Sequence, residues 1–267
     1  MPTAAHKWNP ADYARHSRGQ ERWALELMEL LNLRPGERVL DIGCGDGRHT
    51  AEIARRLPDG QVVGIDRSAE MIAFAKQHFF GGNLSFRQAD ASSLPFRAEF
   101  DVIFSNAVLH WIRDHQPVLA GISRSLRPGG RCVLQMGGKG TGAGVVQSFD
   151  HCFDDPKWSV GGRLTEIPYG FHGSDEYRGW VIESGLVPDS VELIEKDMVH
   201  DGREAFVGWL RTAWLPYVER VPTDRRAEFL QSVTDDYIAA HPPDQDGQVH
   251  VEMIRLQVLA HRPAASQ

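Results

Sequence analysis

Three aspartates stand at or near the ends of short strand-like runs: Asp41 in "RVLDIG", Asp66 after "VVGI" and Asp90 after "FRQA". Behind the first, "GCGDG" places glycines at 43, 45 and 47. Backbone without side chains lets a ligand approach the chain closely, and carboxylates around it suit a ligand that carries positive charge and hydroxyl groups. A further pair, His110 and Trp111, follows the later apolar run "DVIFSN". Taken alone it reads equally well as a core tryptophan beside a satisfied histidine or as part of a site.

Two ligand classes compete for the glycine loop. The dinucleotide fingerprint G-x-G-x-x-G needs a glycine at 48, where the chain has Arg48, and Asp46 would set a negative charge close to a pyrophosphate. S-adenosylmethionine, with its ammonium, sulfonium, ribose and adenine, fits the charges better. Asp41 would favour the cationic end, Asp66 would accept from the ribose hydroxyls and Asp90 from the adenine amino group, with Arg67 and Met71 covering the ring faces. Each charge-assisted bond of this kind contributes roughly 1.5–3 kcal/mol.

These residues need a scaffold that brings strand ends together. The pattern predicts a helix over "RWALELMELLNL", with Trp23, Leu27, Leu30 and Leu31 on one face and "RPGE" ending it. Strands at "RVLDIG", "QVVGID", "LSFRQA", "DVIFSN" and "RCVLQM" then alternate with helices at "HTAEIARRL", "SAEMIAFAKQHF" (capped by Ser68) and "PVLAGISRSL", and Pro128-Gly129-Gly130 makes a turn. Strand and helix in alternation predict an α/β fold, a Rossmann-like doubly wound, seven-stranded, mostly parallel sheet. Past Met136, "GGKGTGAG" reads as a flexible connector and residues 145–169 as irregular. Beyond them come a helix at "SDEYRGWVIESG", a strand at "VELIEKDMVH", helices at "REAFVGWLRTAW" and "DRRAEFLQSVTDDYIAA", and a closing strand at "VHVEMIRLQVLAHR". The expected division is a helical lid over 1–36, a binding core over 37–137, a mixed region with helical cap and sixth strand over 138–247, and a closing strand and tail over 248–267.

Composition narrows the partners. The 267 residues are 42% apolar, enough for a sizeable core, and the net charge of −7 with scattered basic residues gives no footprint for nucleic acid. With no run of about 18 apolar residues and no signal-peptide pattern in "MPTAAHKWNP", the expectation is a cytoplasmic protein without a membrane partner, a monomer or homodimer. Cys44, Cys132 and Cys152 form no Cys-x-x-Cys pair, so neither a disulfide framework nor a metal cluster is expected.

"VLDIGCGDG", "VVGIDRSAEMIAFA", "QADASSLPF", "FDVIFSNAVLHWIRD" and "SLRPGG" resemble, in order and spacing, the successive motifs of the class I S-adenosylmethionine-dependent methyltransferases. "WNPADYARHSRGQ" with "SNAVLHWIRDH" is similar to the trans-aconitate and juvenile-hormone-acid methyltransferases, which esterify free carboxylates, and "DDPKWS" and "PYVERVPTDRRAEFL" continue the likeness to the second group. The resemblance implies that Trp111 lines the acceptor site, that Gln20 and His110 touch the substrate, and that Tyr13 covers the cofactor. The candidate cofactor-binding residues are then Tyr13, Asp41, Gly43, Gly45, Asp66, Arg67, Met71, Asp90, Ala91 and Asn106.

The implied reaction is O-methylation of a small organic acid to a methyl ester. A carboxylate with its ordinary pKa near 4 is already ionised at neutral pH and needs no base. Methylation of carbon, nitrogen or a phenol would call instead on a base such as His110, His172, Tyr169 or Tyr177. A cofactor-binding protein without turnover is the third reading. Arg163, Arg178, Arg203 and Arg211 are the cap cations that an anionic acceptor could meet, while the aromatics of 149–217 favour a bulky, partly apolar one.

Overall fold

Apolar runs too short for a helix pair as strands and bury both faces. The computed structural model describes residues 21–158 and 167–265. Its sheet has seven strands in the order β3-β2-β1-β4-β5-β7-β6: β1 Arg38–Ile42, β2 Gln61–Asp66, β3 Leu84–Gln88, β4 Phe100–Asn106, β5 Leu126–Gly137, β6 Val187–His200 and β7 Val249–His261. The first five run parallel, and β7 enters antiparallel to both β5 and β6. The expected Rossmann-like, mostly parallel sheet is therefore the observed one. Strand order reverses at β1, between β2 and β4, so the carboxyl ends of β1 and β4 flank the crevice where such sheets bind ligands.

Helix α1, Glu21–Glu29, buries Trp23, Ala24, Leu27 and Met28, whereas Leu30 of the expected stripe is partly exposed just past its end. Helix α2, Arg48–Arg56, starts directly from the glycine loop, and α3, Ala69–His78, is capped as expected by the Ser68 hydroxyl, which accepts from the Met71 amide. Helix α4, Gln116–Ser125, leads into β5. There Pro128–Gly130 forms an excursion inside the strand: Phe100 pairs with Leu126, and pairing resumes at Val102 with Arg131.

Two expectations past β5 need correction. Residues expected to be irregular form helix α5, Ala143–Asp154, because Val145, Phe149, Cys152 and Phe153 repeat at helical spacing and are all buried. The glycine segment before it is pinned rather than loose. The Gly138 amide donates to the Ile254 carbonyl, that of Lys139 to His172 and that of Gly142 to Glu252, and Thr141 is buried.

Helix α6, Ser174–Glu183, covers β6 from the core side. Helices α7 Gly202–Ala213, α8 Leu215–Val218 and α9 Arg226–Ala240 lie between β6 and β7 in sequence and join α5 in the cap. The cap has its own apolar core, built on Phe149, Phe206, Trp209, Trp214, Tyr217 and Phe229, apart from those on the two faces of the sheet. Among the described residues no helix is long and apolar enough to cross a membrane.

Candidate active site

The three loop glycines do three different things. All have positive φ: 75° at Gly43, 53° at Gly45 and 90° at Gly47. A Cβ on Gly43 would lie 2.3 Å from the Val108 side chain, and one on Gly47 would lie 2.8 Å from Ala75. Those two are required by packing as well as by backbone conformation. At Gly45 an added Cβ would meet nothing within 4 Å among the described residues, so they leave the middle of the loop open. The amides of Gly43 and Cys44 both donate to the Ile65 carbonyl, which fixes the loop on β2.

Around that opening stand the strand-end acids. Asp41 is buried, and its Oδ2 accepts from the Thr50 hydroxyl at 2.6 Å. Burial outweighs that hydrogen bond and the nearby Asp66 adds repulsion, so the Asp41 carboxyl is pushed up to about 7. Asp66 has Oδ2 on the Gly45 amide at 3.0 Å and Oδ1 on the Ser68 amide at 2.8 Å. Burial raises its pKa too, opposed by the amides of Ser68, Gly45 and Arg67. Asp46 is no bare charge, because Arg48 forks onto its Oδ2 at 2.9 and 2.6 Å. Burial and the charges of Asp41, Asp66 and Asp46 push the Cys44 thiol far above its ordinary range, which leaves it inert as a nucleophile.

At the tip of β4 the side-chain oxygen of Asn106 is buried and has no hydrogen-bond partner among the described residues. An orphaned acceptor at the end of β4, the strand next to β1 and its Asp41, suits a ligand that brings N–H donors. With the open face at Gly45, this is the fit S-adenosylmethionine requires. Asp90 is half-buried and caps the turn Ala91–Ser93, with Oδ1 accepting from the Ser92 amide at 2.8 Å. Arg67 is exposed, whereas Met71 and Ala91 are buried.

Beyond β4 the short turn Leu109–Trp111 carries His110 and Trp111 against the cap. Trp111 meets Tyr169 edge-on at 5.1 Å between ring centroids, Tyr169 stacks on Phe171 at 4.9 Å, and the Tyr169 hydroxyl donates to the Ala213 carbonyl. His110 Nδ1 accepts from the Gly137 amide at 3.3 Å, which leaves the ring proton on Nε2. Burial, with smaller contributions from the charges of Arg255 and His115, holds His110 well below its ordinary range, so the ring is neutral. Tyr169 and Tyr177 have hydrogen-bond partners, whereas the buried Nε2 of His172 has none among the described residues. The Tyr177 hydroxyl lies 3.1 Å from Nδ1 of buried His115, and His172 packs edge-on against the same ring at 4.5 Å.

Tyr13 and Gln20 lie outside the described residues, as does Arg163. Arg178 is exposed, and Arg203 bonds to Gln231 and Asp235 within the cap. The sequence reading did not single out Thr50, which holds Asp41, or Arg255, which is buried on β7. Arg255 did leave a signal: it falls in the phase of buried Val249, Val251 and Met253 in an alternating strand.

Comparison with known proteins identifies the family. A methyltransferase-domain family matches residues 33–153. The trans-aconitate 2-methyltransferase of Methylobacterium radiotolerans is 31% identical over 278 residues, covering 96% of this chain and 98% of its own. That of Deinococcus radiodurans is 30% identical over 269 residues, covering 96% and 98%. Among solved structures, the phosphoethanolamine N-methyltransferase 2 of Haemonchus contortus in complex with S-adenosyl-L-methionine superposes with a TM-score of 0.60 at 20% identity, covering 95% of this chain and 56% of that one.

Proposed function

The chain belongs to the class I S-adenosylmethionine-dependent methyltransferases, and on that premise we propose that it methylates a carboxylate oxygen of a small organic acid. S-adenosylmethionine, its cofactor, supplies an electrophilic methyl group: an oxygen lone pair forms the new C–O bond while the C–S bond breaks toward sulfur, giving a methyl ester and S-adenosylhomocysteine without proton transfer. Gly45, Asp41, Asp66 and Asn106 are the residues that would hold it, with Asp90, Ala91, Arg67 and Met71 at the adenine end and Gly43 shaping the loop.

One observation carries the choice of acceptor. The histidine beside the strand ends is neutral, and its Nδ1 is occupied by a backbone amide. Among the described residues that follow β4, His110 has no free ring lone pair to take a proton from a nucleophile, whereas an ionised carboxylate needs no base. The neutral His110 would instead donate from Nε2 and orient the acceptor, with Trp111 packing against it and Gln20 as a further contact. Positioning of this kind supplies roughly 7–11 kcal/mol of the barrier. The names of the relatives, trans-aconitate 2-methyltransferases, support an organic acid in this role.

The test is a panel of acids, phenols and amines incubated with enzyme and S-adenosylmethionine, read by release of S-adenosylhomocysteine. Turnover confined to acids is the expected result. Turnover with phenols or amines and none with any acid would remove the proposal.

A further inference from the structure

Behind the turn that carries His110 and Trp111 lies a second histidine, His115, which opens helix α4 and is completely buried. A buried imidazole needs a partner at each ring nitrogen, and here the two partners come from different elements. His115 Nε2 lies 2.9 Å from the carbonyl of Ile112, the residue that closes the turn, and because a carbonyl can only accept, Nε2 carries the proton. Nδ1 is then the acceptor, and the Tyr177 hydroxyl of α6 donates to it at 3.1 Å. Burial, with the neighbouring His172, pushes the His115 pKa down to about 4, so at neutral pH the ring is uncharged and this donor and acceptor order holds. A third element crosses the ring as bare backbone. The Gly170 amide donates to the His110 carbonyl at 2.9 Å, and a Cβ on Gly170 would collide with the Ile112 carbonyl and lie 2.8 Å from His115 Nε2. On either side of that glycine Tyr169 and Phe171 flank His110 at 6.2 and 5.9 Å between ring centroids, and His172 packs edge-on against His115 at 4.5 Å.

We propose that His115 is a positioning residue for methyl transfer: its hydrogen bonds to Ile112 and Tyr177 fix the turn Leu109–Trp111, and through that turn the placement of His110 and Trp111 against the acceptor. This rests on the reading above in which those two residues orient a carboxylate. His115 exchanges no proton with the acceptor, because both of its ring nitrogens are bound to protein. Its effect is geometric, and a misplacement of about 1 Å in groups that hold two reactants in line costs roughly a hundredfold in rate. Of its two bonds, the one to Ile112 reaches the turn directly and carries most of the effect.

The experiment measures methylation of trans-aconitate by the full-length enzyme and by His115→Leu, His115→Gln and His115→Asn. Calorimetry with S-adenosylhomocysteine counts the folded sites, and kcat is expressed per site, so that a loss of stability alone leaves it unmoved. His115→Leu, which removes both bonds, should lower kcat about a hundredfold with S-adenosylhomocysteine affinity unchanged. His115→Gln should recover most of the loss, because its amide nitrogen stands near the place of Nε2 and can donate to the Ile112 carbonyl. The shorter side chain of His115→Asn keeps the bond to Tyr177 and loses that to Ile112, so its kcat should fall with the leucine variant. If His115→Leu binds no S-adenosylhomocysteine, the asparagine and glutamine variants decide. A wild-type kcat per site in His115→Leu or His115→Asn, or equal losses in asparagine and glutamine variants, removes the role of His115 and leaves the reaction intact. A wild type that binds S-adenosylhomocysteine and methylates no acid removes the carboxylate reading and this proposal with it.

Discussion

At the scale of single residues, the site depends on carboxylates kept where water would not leave them. Asp41 is the clearest case, with its pKa pushed up from the ordinary 3.8 to about 7 by burial. Between those values the native chain holds a proton that the unfolded chain has lost. Stability therefore falls as pH rises from about 4 to about 7, by up to about 1.4 kcal/mol per pH unit from this group, and levels off above. Asp41→Asn keeps an acceptor for the Thr50 hydroxyl and removes the titration. Urea unfolding at pH 5 and pH 7.5 should show the variant gaining stability relative to wild type at the higher pH, while its affinity for S-adenosylmethionine drops. Equal stability differences at both pH values would contradict this account of Asp41. The acids were legible in the sequence because each falls at or just past the end of a strand-like run, Asp66 closing an apolar one. The hydroxyl that holds Asp41 was not, since Thr50 comes from the following helix nine positions away and nothing local marks it.

At the scale of elements, the loop between β1 and α2 separates packing from binding. Gly43 and Gly45 share a positive φ, but only Gly43 faces a neighbour. Gly43→Ala should cost about 2–4 kcal/mol in urea unfolding, combining left-handed strain with overpacking against Val108. Gly45→Ala should cost only about 1–2 kcal/mol from strain yet weaken cofactor binding roughly tenfold or more, because its methyl occupies the open face of the loop. Matching losses of stability and of affinity in both variants would show that the two glycines do one job. Strands β1, β2, β4 and β5 were legible because strands buried on both faces leave near-continuous apolar runs, whereas the edge strand β3 buries only Phe86 and was read from its place in the alternation. Helix α5 was not, since it follows directly on a glycine run whose order comes from hydrogen bonds to residues of β7 more than a hundred positions later. Arg255 was hidden for a related reason: an arginine in an alternating strand reads as solvent-facing until its phase is compared with its neighbours.

At the scale of the whole molecule, the sheet carries the strand ends proposed to bind the cofactor, and a cap with its own apolar core packs against the turn Leu109–Trp111. Phe149 is fully buried in that cap core, stacked on Tyr217 at 4.7 Å. Phe149→Ala should cost about 3–5 kcal/mol of stability. It should raise KM for the acceptor while S-adenosylmethionine affinity stays near wild type, because the strand ends lie on the other core; loss of both affinities together would mean that cap and sheet form one site. The central claim, that methyl goes to a carboxylate oxygen, is tested most directly by following the methyl itself. With S-adenosylmethionine labelled in the transferred methyl group and trans-aconitate as acceptor, the label should appear in a product that releases labelled methanol under mild alkali, as a methyl ester does. Label retained in the product through alkali, or no transfer to any acid by enzyme shown to bind the cofactor, would contradict it.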